Sequence, residues 1–276
     1  MPELPKRNST LEVLGVSLLL AAITLFTVIG FAHDWMPPVA SRHGVGVDGV
    51  LRYLFRATGP ILVIGAVAVI GFLWRYGRGR PTASPSTSHK TELLWSIVPV
   101  IGMMAVTEVG VVVKGMPVWE EIEATPPANA LAIEVTGQQF EWIVRYPGPD
   151  GKFGRTSPDL VDKANPAGLD RNDPAALDDI VVRNQLHVPV DQPVYVQLRG
   201  RDVLHSFTVA ALRVKQDVMP GIFTRALFVP TVVGRYEIQC TQVCGMGHYR
   251  MHGAVYVETP QQFHDWLSHK TGWLQQ

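Results

Sequence analysis

The sequence predicts transmembrane helices at the N-terminus followed by an all-β domain, and three observations indicate this fold class. Three long apolar stretches lie within residues 1–113. Short β-branched runs, separated by Pro, Gly and Asp, fill residues 114–276. The formal net charge is zero, but the first part carries 9 basic and 6 acidic residues and the second part 15 and 18. A membrane anchor joined to a mildly acidic outer domain explains this division.

The first element is a membrane anchor with three hydrophobic segments, at residues 11–32, 57–74 and 93–113. Each is close to the ~20 residues that a helix needs to cross ~30 Å of hydrocarbon. The first segment has an alternative interpretation as a signal peptide, with Lys6 and Arg7 as its basic start. Its apolar core exceeds the ~7–15 residues typical of such peptides, which favours a retained helix.

Basic residues between the second and third segments predict the orientation of the anchor. Arg75, Arg78, Arg80 and Lys90 lie in this short connection, which therefore faces the cytoplasm by the positive-inside rule. The third segment then leads outward, so residues 114–276 form an extracytoplasmic domain. We expect an integral protein of the bacterial inner (plasma) membrane, surrounded by lipid, with a C-terminal domain that is periplasmic or otherwise extracytoplasmic.

The outer domain is predicted to consist of many short strands, which favour a sandwich or a barrel. The predicted strands are residues 130–135, 140–146, 181–190, 194–198, 207–209, 226–229 and 255–257. Residues 147–179 are rich in Gly, Pro, Asn and Asp, and this composition predicts a long surface insertion. Residues 260–273 have the pattern of a short amphipathic helix.

The strongest functional signal is a set of soft ligands near the C-terminus. Cys240 and Cys244 share a short loop with His248 and Met251, and His205 precedes them at a strand end. Thiolate, imidazole and thioether groups suit copper. Two thiolates can each bridge two metal ions, so the set predicts a binuclear copper centre.

Zinc and a disulfide are the alternatives for the two cysteines. Zinc sites with two cysteines and two histidines are common, but this spacing is poor for a zinc finger and a methionine ligand is unusual for zinc. A disulfide across so short a loop would add little stability, because the loop-closure entropy is small. Ligand chemistry therefore favours copper, and the residues alone leave both alternatives open.

Three motifs resemble subunit II of the haem-copper cytochrome c oxidases. Asp-Val-Leu-His-Ser-Phe at residues 202–207 and Cys-x-Gln-x-Cys-Gly-x-Gly-His-x-x-Met at residues 240–251 resemble the CuA motif of that family. Residues 215–221 resemble its connecting segment, and residues 91–99 resemble the start of its last membrane helix. The resemblance implies a cupredoxin-like β-sandwich on a helical anchor.

The resemblance also implies roles for the ligands and partners. Both cysteines would bridge two copper ions, with His205 and Met251 on one ion. His248 and a backbone carbonyl would complete the other. Cytochrome c would deliver single electrons, which pass to a haem of subunit I for oxygen reduction and proton pumping; subunit I, with its haems and CuB, and subunit III are the implied partners. The implied metal ligands are His205, Cys240, Gln242, Cys244, His248 and Met251.

Two positions depart from the family pattern. Gln242 stands where the family usually has Glu, whose carboxylate helps to bind Mg²⁺ at the subunit interface. A neutral amide is a weaker ligand for this hard cation, so a magnesium site is doubtful here. Phe140 stands where a Trp usually accepts the electron from cytochrome c. Phe140 and Trp142 are our candidates for electron arrival, and ordinary core packing is the alternative for both.

Carboxylates suggest two further roles. Glu92 lies at the cytoplasmic mouth of the third segment, where the resemblance implies a proton pathway into subunit I and a water-facing helix end is the alternative. Glu108 lies inside the apolar run and has no assigned role. Acidic residues of the insertion predict docking of a basic cytochrome c, with simple solvation as the alternative. They are Asp150, Asp159, Asp162, Asp170, Asp173, Asp178 and Asp179.

Two other classes of protein compete with this interpretation. A quinol oxidase subunit II keeps the fold but lacks the copper ligands. A nitrous oxide reductase-like protein has the copper centre but not a helix of the type that starts at residues 92–99. The sequence has no dense Lys/Arg patch for nucleic acid. It also has no Cys-x-x-Cys-His for a haem, so the electron donor is expected to be a separate protein.

Overall fold

The computed structural model describes residues 9–33, 35–77 and 88–275. The chain forms two compact units, and each is described by itself. The membrane unit comprises Met1–Trp35 and Asp48–Met116, and the outer unit comprises Met36–Val47 and Pro117–Gln276.

Three long helices are the main elements of the membrane unit: α1 (Ser9–Ala32), α2 (Arg42–Tyr76) and α3 (His89–Ile122). Each is long and apolar enough to cross a membrane, which confirms the three predicted helices. The 35 residues of α2 span about 52 Å, more than the hydrocarbon thickness, because polar residues continue the helix beyond its apolar segment. Two cations used to predict the orientation, Arg78 and Arg80, lie outside the described residues, as do Lys6 and Arg7 of the possible signal peptide.

Ten strands of the described residues form two five-stranded sheets in the outer unit. The first sheet contains β1 (Leu131–Gln138), β2 (Glu141–Tyr146), β3 (Ile180–Arg183), β5 (Val194–Gly200) and β8 (Phe223–Phe228), in the order β3-β2-β1-β5-β8. The second sheet contains β4 (Gln185–Pro189), β6 (His205–Val209), β7 (Val214–Val218), β9 (Gly234–Cys240) and β10 (His252–Glu258), in the order β4-β10-β9-β6-β7.

The two sheets share one apolar core, as the pattern of β5 illustrates. Val194, Val196 and Leu198 are fully buried, whereas Tyr195 and Gln197 between them are half-buried. This alternation turns one face of the strand inward. Inward residues of both sheets belong to the same cluster, so the predicted all-β sandwich is confirmed.

The predicted continuous strand over residues 181–190 is wrong, because the chain changes sheets within it. Asn184 adopts a left-handed conformation with φ 57°, which separates β3 in the first sheet from β4 in the second. Asn tolerates this conformation better than most residues. Its side-chain oxygen also accepts a hydrogen bond from the backbone N–H of Trp142 at 2.8 Å, which ties the crossing point to β2.

Residues 147–179 contain two single turns of 3₁₀-helix, Pro158–Leu160 and Pro174–Ala176. Leu169 of this segment is fully buried and belongs to a small apolar cluster with Ile143 of β2. The segment therefore packs on the first sheet through a core of its own. After the second sheet, the predicted C-terminal helix is present as α4 (Pro260–Ser268).

Several carboxylates of this segment are engaged within the protein. Asp179 is fully buried and pairs with Arg145 at 2.8 Å. Burial raises the pKa of Asp179 to about 6 in spite of this pair. Asp170 and Asp173 pair with Arg155 at 3.2 and 3.6 Å. Asp179 is therefore unable to contribute to a docking surface, contrary to the prediction. Three of the proposed docking carboxylates are exposed: Asp150, Asp159 and Asp162.

Candidate metal centre

The predicted ligands meet at the ends of two neighbouring strands of the second sheet. His205 opens β6 and Cys240 closes β9. These strands are antiparallel, with Phe207 opposite Cys240. The loop that follows brings Cys244 back against Cys240, and it ends at Met251, whose carbonyl accepts the N–H of Cys240 at 3.2 Å. Residues distant in sequence thus supply one compact donor set.

Short separations define this donor set. Sγ of Cys240 and Sγ of Cys244 are 3.9 Å apart, and both cysteines are free. Sγ of Cys240 lies 4.0 Å from Nδ1 of His205. Sγ of Cys244 lies 3.7 Å from Nδ1 of His248 and 3.7 Å from Sδ of Met251. Each thiol therefore has an imidazole neighbour of its own.

The separations fit donors that share metal ions and do not fit a disulfide. Donors about 2.0–2.3 Å from one ion in a tetrahedral shell lie roughly 3.3–3.8 Å apart, close to the observed spacing. A disulfide would need about 2.05 Å. The donor atoms of His205, Cys240 and Cys244 all lie within 4.8 Å of one another. His248 extends this set from the side of Cys244.

The backbone of Gln242 also takes part in the cluster. The thiol of Cys240 donates to the Gln242 carbonyl oxygen at 3.2 Å. This oxygen is therefore close enough to the sulfur to serve as a further ligand of an ion bound there. The contact uses the main chain, so it does not depend on the Gln242 side chain.

Most of the donors are buried, and burial affects the protonation of the Cys244 thiol. His205 is 0% exposed, and Cys240, Cys244 and Met251 are also buried, while His248 is half-buried. Burial raises the pKa of the Cys244 thiol to about 11, and the neighbouring Cys240 adds to the rise. Metal binding by Cys244 must therefore displace the proton of its thiol, and metal affinity rises with pH.

The turn between β1 and β2 supports the ligand loop. The side-chain amide of Gln139 donates to the carbonyl of Cys244 at 2.5 Å. A Cβ at Gly247 would lie 2.5 Å from Cδ2 of Phe140. Gly245 has φ +140°, and a Cβ there would lie 2.6 Å from Nε2 of Gln139. The two glycines thus allow the loop to pack directly on this turn.

Asp202 orients one imidazole, although the prediction did not assign it a role. Its Oδ1 lies 2.8 Å from Nε2 of His205, and its Oδ2 accepts the backbone N–H of Gln139 at 2.8 Å. Burial acts to raise the pKa of Asp202, but hydrogen bonds from Gln139, His205 and the Val203 amide outweigh it and lower the pKa. Its signal in the sequence is an acid three residues before a candidate histidine.

Comparison with known proteins places the chain in a family. Residues 131–258 match the family model described as cytochrome c oxidase subunit II, periplasmic domain. The alternative cytochrome c oxidase subunit 2 of Bradyrhizobium diazoefficiens is 34% identical over 259 residues, covering 92% of this chain and 91% of that protein. This chain belongs to the cytochrome c oxidase subunit II family.

Two further similarities concern proteins of the same description. The cytochrome c oxidase subunit 2 of Cereibacter sphaeroides is 27% identical over 88% of this chain and 80% of its own length. The crystal structure of the periplasmic domain of subunit II of cytochrome oxidase from Bradyrhizobium japonicum shares 30% identity, with a TM-score of 0.39, over 52% of this chain and 95% of that chain.

Membership in the cytochrome c oxidase subunit II family settles two broader points. With three apolar helices before the matched domain, the chain is a membrane protein whose C-terminal domain is extracytoplasmic. The family also implies copper. The donor set fits this metal, because thiolate, imidazole and thioether are the ligands that copper prefers.

The two aromatic candidates for electron arrival occupy different environments. Phe140 is half-buried over Gly247, with the guanidinium of Arg250 5.5 Å from its ring centroid. Trp142 is 0% exposed, and its ring meets that of His205 edge-on at 6.0 Å. Trp142 is therefore a core residue that contacts a predicted ligand. It is not available for direct contact with a docking protein.

The two carboxylates of the third helix are not part of the donor set. Glu92 and Glu108 lie on α3, away from the donor set in sequence, and both are exposed on this chain.

The ligand loop carries three exposed apolar side chains that the prediction missed. The sequence indicated these side chains only through their apolar character within a loop that contains glycines and metal ligands. They are Val243, Met246 and Tyr249, which are 77%, 95% and 84% exposed.

Proposed function

We propose that this chain is the electron-accepting subunit of a haem-copper cytochrome c oxidase. It receives single electrons from cytochrome c and hands them to a haem of subunit I, where O₂ is reduced to water and protons are pumped. The observation that carries the proposal is the pair of free, buried thiols 3.9 Å apart, each beside its own imidazole. Family membership supports the same function.

We propose further that the site holds two copper ions between Cys240 and Cys244. His205 and Met251 would hold one ion, and His248 would hold the other with the carbonyl of residue 242. Bound copper in such a set supplies reversible single-electron transfer. The two distinct thiol–imidazole pairs support two half-sites. With Gln242 in place of an acid, a Mg²⁺ site at the subunit interface stays doubtful.

The protein around the donors has three tasks in this proposal. Burial of the ligands excludes water, which limits the reorganisation that accompanies a change of charge. Asp202 holds His205 in one orientation, and Gln139 holds the loop through the carbonyl of Cys244. These contacts keep the ligand shell in one geometry, as an electron-transfer site requires.

The proposed partners are cytochrome c, subunit I with its haems and CuB, subunit III and membrane lipid; nucleic acid is not among them. The half-buried ring of Phe140 packs on Gly247 of the ligand loop, and the same loop exposes Met246 and Tyr249; these side chains beside the donors support electron arrival here. The ring of Trp142 packs against His205 from the core side. Glu92 remains our candidate for the start of a proton pathway. The bacterial inner membrane is the proposed location.

Copper content tests the proposal, with Cys244→Ser and Met246→Leu as a matched pair in one loop. The full chain and the Met246 variant should hold about two copper ions each, because the Met246 side chain faces solvent. The Cys244 variant should lose at least half of the copper and should no longer accept electrons rapidly from reduced cytochrome c. A single metal ion in the unaltered chain, or rapid reduction of the Cys244 variant, would contradict the proposal.

A further inference from the structure

A groove of about 820 Å³ lies between α1 and α2 in the membrane unit. This volume is within the roughly 300–1,000 Å³ range of small-ligand sites. Val28 and Phe31 of α1 line one side, and Phe55 and Leu62 of α2 line the other. The rings of Phe31 and Phe55 contact each other with centroids 4.4 Å apart. The lining is thus mainly aliphatic and aromatic.

Small and cyclic residues of α2 leave the groove open. Gly59 and Pro60 lie on its wall. A Cβ at Gly59 would meet no other atom within 4 Å, so the groove has unfilled space at this point. An unfilled apolar channel within a membrane segment is suited to a hydrocarbon chain, since a water molecule there would find few polar partners.

Two arginines line the same groove at one end. Arg52 and Arg56 are four residues apart on α2, so they lie on one face of the helix about 5–6 Å apart at their Cβ atoms. Both side chains are exposed, and neither forms an ion pair with any carboxylate in the part of the chain that the structure describes. As far as the described residues show, the groove therefore combines an apolar channel with two cations that have no acidic partner.

The position of the arginines along α2 matches the depth of lipid headgroups. The apolar segment of α2 starts at residue 57, immediately after Arg56, and α2 begins at Arg42 within the outer unit. Arg52 and Arg56 therefore lie at the outer boundary of the hydrocarbon. Guanidinium groups bind phosphate oxygens through paired hydrogen bonds, so two arginines at this depth suit a headgroup that carries a phosphate.

We propose that this groove binds one anionic phospholipid of the outer leaflet. Its phosphate contacts Arg52 and Arg56, and one acyl chain lies in the channel along Phe55, Gly59 and Leu62. The anionic headgroup explains why two arginines that pair with no carboxylate among the described residues border an apolar groove. The acyl chain explains why the channel beside Gly59 is open. This site is independent of the proposed copper centre.

Native mass spectrometry of the full chain in detergent tests the headgroup contact. The probes are dioleoyl phosphatidylglycerol and dioleoyl phosphatidylcholine, which share acyl chains but differ in net charge. The unaltered chain should bind one phosphatidylglycerol with at least five-fold preference. The R52Q/R56Q double variant should lose this preference. The R75Q/K90Q variant, which removes the same charge elsewhere on α2 and α3, should keep it. Equal binding of both lipids by the unaltered chain, or equal losses in the two variants, would overturn the proposal.

A second pair of variants tests the channel and separates a lipid from a free phosphate. Gly59→Leu extends a side chain into the groove from a Cβ position with no atom within 4 Å, and Gly71→Leu makes the same change outside the groove from an equally open Cβ position. G59L should reduce phosphatidylglycerol binding at least five-fold relative to G71L, with helix content unchanged by circular dichroism. Equal binding by the two leucine variants would show that the arginines hold a phosphate group without an acyl chain in the groove, which would overturn the lipid site.

Discussion

Oδ1 of Asp202 lies 2.8 Å from Nε2 of His205, so the imidazole presents Nδ1 to the thiol of Cys240. Partners of this kind orient metal-binding histidines, and their loss typically lowers metal affinity about 10–100-fold. We predict a loss of this size in copper affinity for Asp202→Asn, measured by competition with a copper chelator. Glu237→Gln is the control, because Glu237 is exposed on β9 and the charge change is the same. Equal affinities of the two variants would contradict an orienting role for Asp202.

Close packing of Gly247 on Phe140 leads to a second prediction. A Cβ added at Gly247 would lie 2.5 Å from Cδ2 and 2.7 Å from Cγ of the ring, so either the ring or the loop must move. Gly247→Ala should destabilise the outer domain by about 1–3 kcal/mol, as overpacking usually does. Adding Phe140→Leu should recover at least half of that loss. Denaturant unfolding of the four proteins in this double-mutant cycle measures the coupling; additive effects would exclude it.

Gln242 provides a test of separate roles for backbone and side chain. Only its carbonyl contacts the cluster, at 3.2 Å from Sγ of Cys240. Gln242→Glu should therefore leave the copper content unchanged, while the new carboxylate strengthens binding of a hard divalent cation. Mn²⁺ titration of the assembled oxidase, followed by electron paramagnetic resonance, should show tight binding only in the variant. Tight stoichiometric Mn²⁺ binding by the unaltered oxidase would refute our expectation for magnesium.

His187 predicts how the stability of the outer domain depends on pH. Its ring stacks between Tyr256 and Trp266, and its Nδ1 lies 3.2 Å from Oε1 of Glu258. Burial lowers the pKa of His187 from 6.5 to about 4, and the charge of Lys270 adds to this effect. Between pH 6.5 and pH 4 the unfolded chain therefore binds more protons than the folded chain. The free energy of unfolding is highest above pH 6.5, and it decreases by about 2–3 kcal/mol as the pH falls to 4.

The variant His187→Phe isolates this effect, because it keeps an aromatic ring in the stack but has no group that titrates. Unfolding of the chain in detergent, followed by near-ultraviolet circular dichroism at several pH values, measures the stability. The unaltered chain should show the steeper loss between pH 6.5 and 4. Parallel curves for the two proteins would show that His187 does not control the pH dependence.

The features that were predicted correctly depend on local patterns in the sequence. The helices followed from continuous apolar runs, and the donor set followed from the spacing of Cys240, Cys244 and His248. The switch of sheets at Asn184 was missed, because the flanking β-branched residues form one unbroken run and a single left-handed residue interrupts it. Strand β9 was missed as well, since its polar face dilutes the apolar pattern.

The support of the ligand loop was not predictable from local patterns. Gln139 and Cys244 are 105 residues apart in sequence, and only the sandwich brings them together. The burial of Trp142 likewise depends on the second sheet, which covers β2. Asp202 was visible in its motif, but its contact with His205 depends on how the chain enters β6. Long-range packing thus determines the environment of a site whose residues the sequence already indicates.

Electron paramagnetic resonance of the copper-loaded, partly oxidised chain tests the central claim most directly. One unpaired electron shared equally by two copper nuclei of spin 3/2 gives seven hyperfine lines, whereas an electron on one copper gives four. The two thiols 3.9 Å apart, each with its own imidazole, predict the seven-line spectrum. The spectrum should persist in Met246→Leu and disappear in Cys240→Ser. A four-line spectrum of the unaltered chain would contradict a binuclear centre.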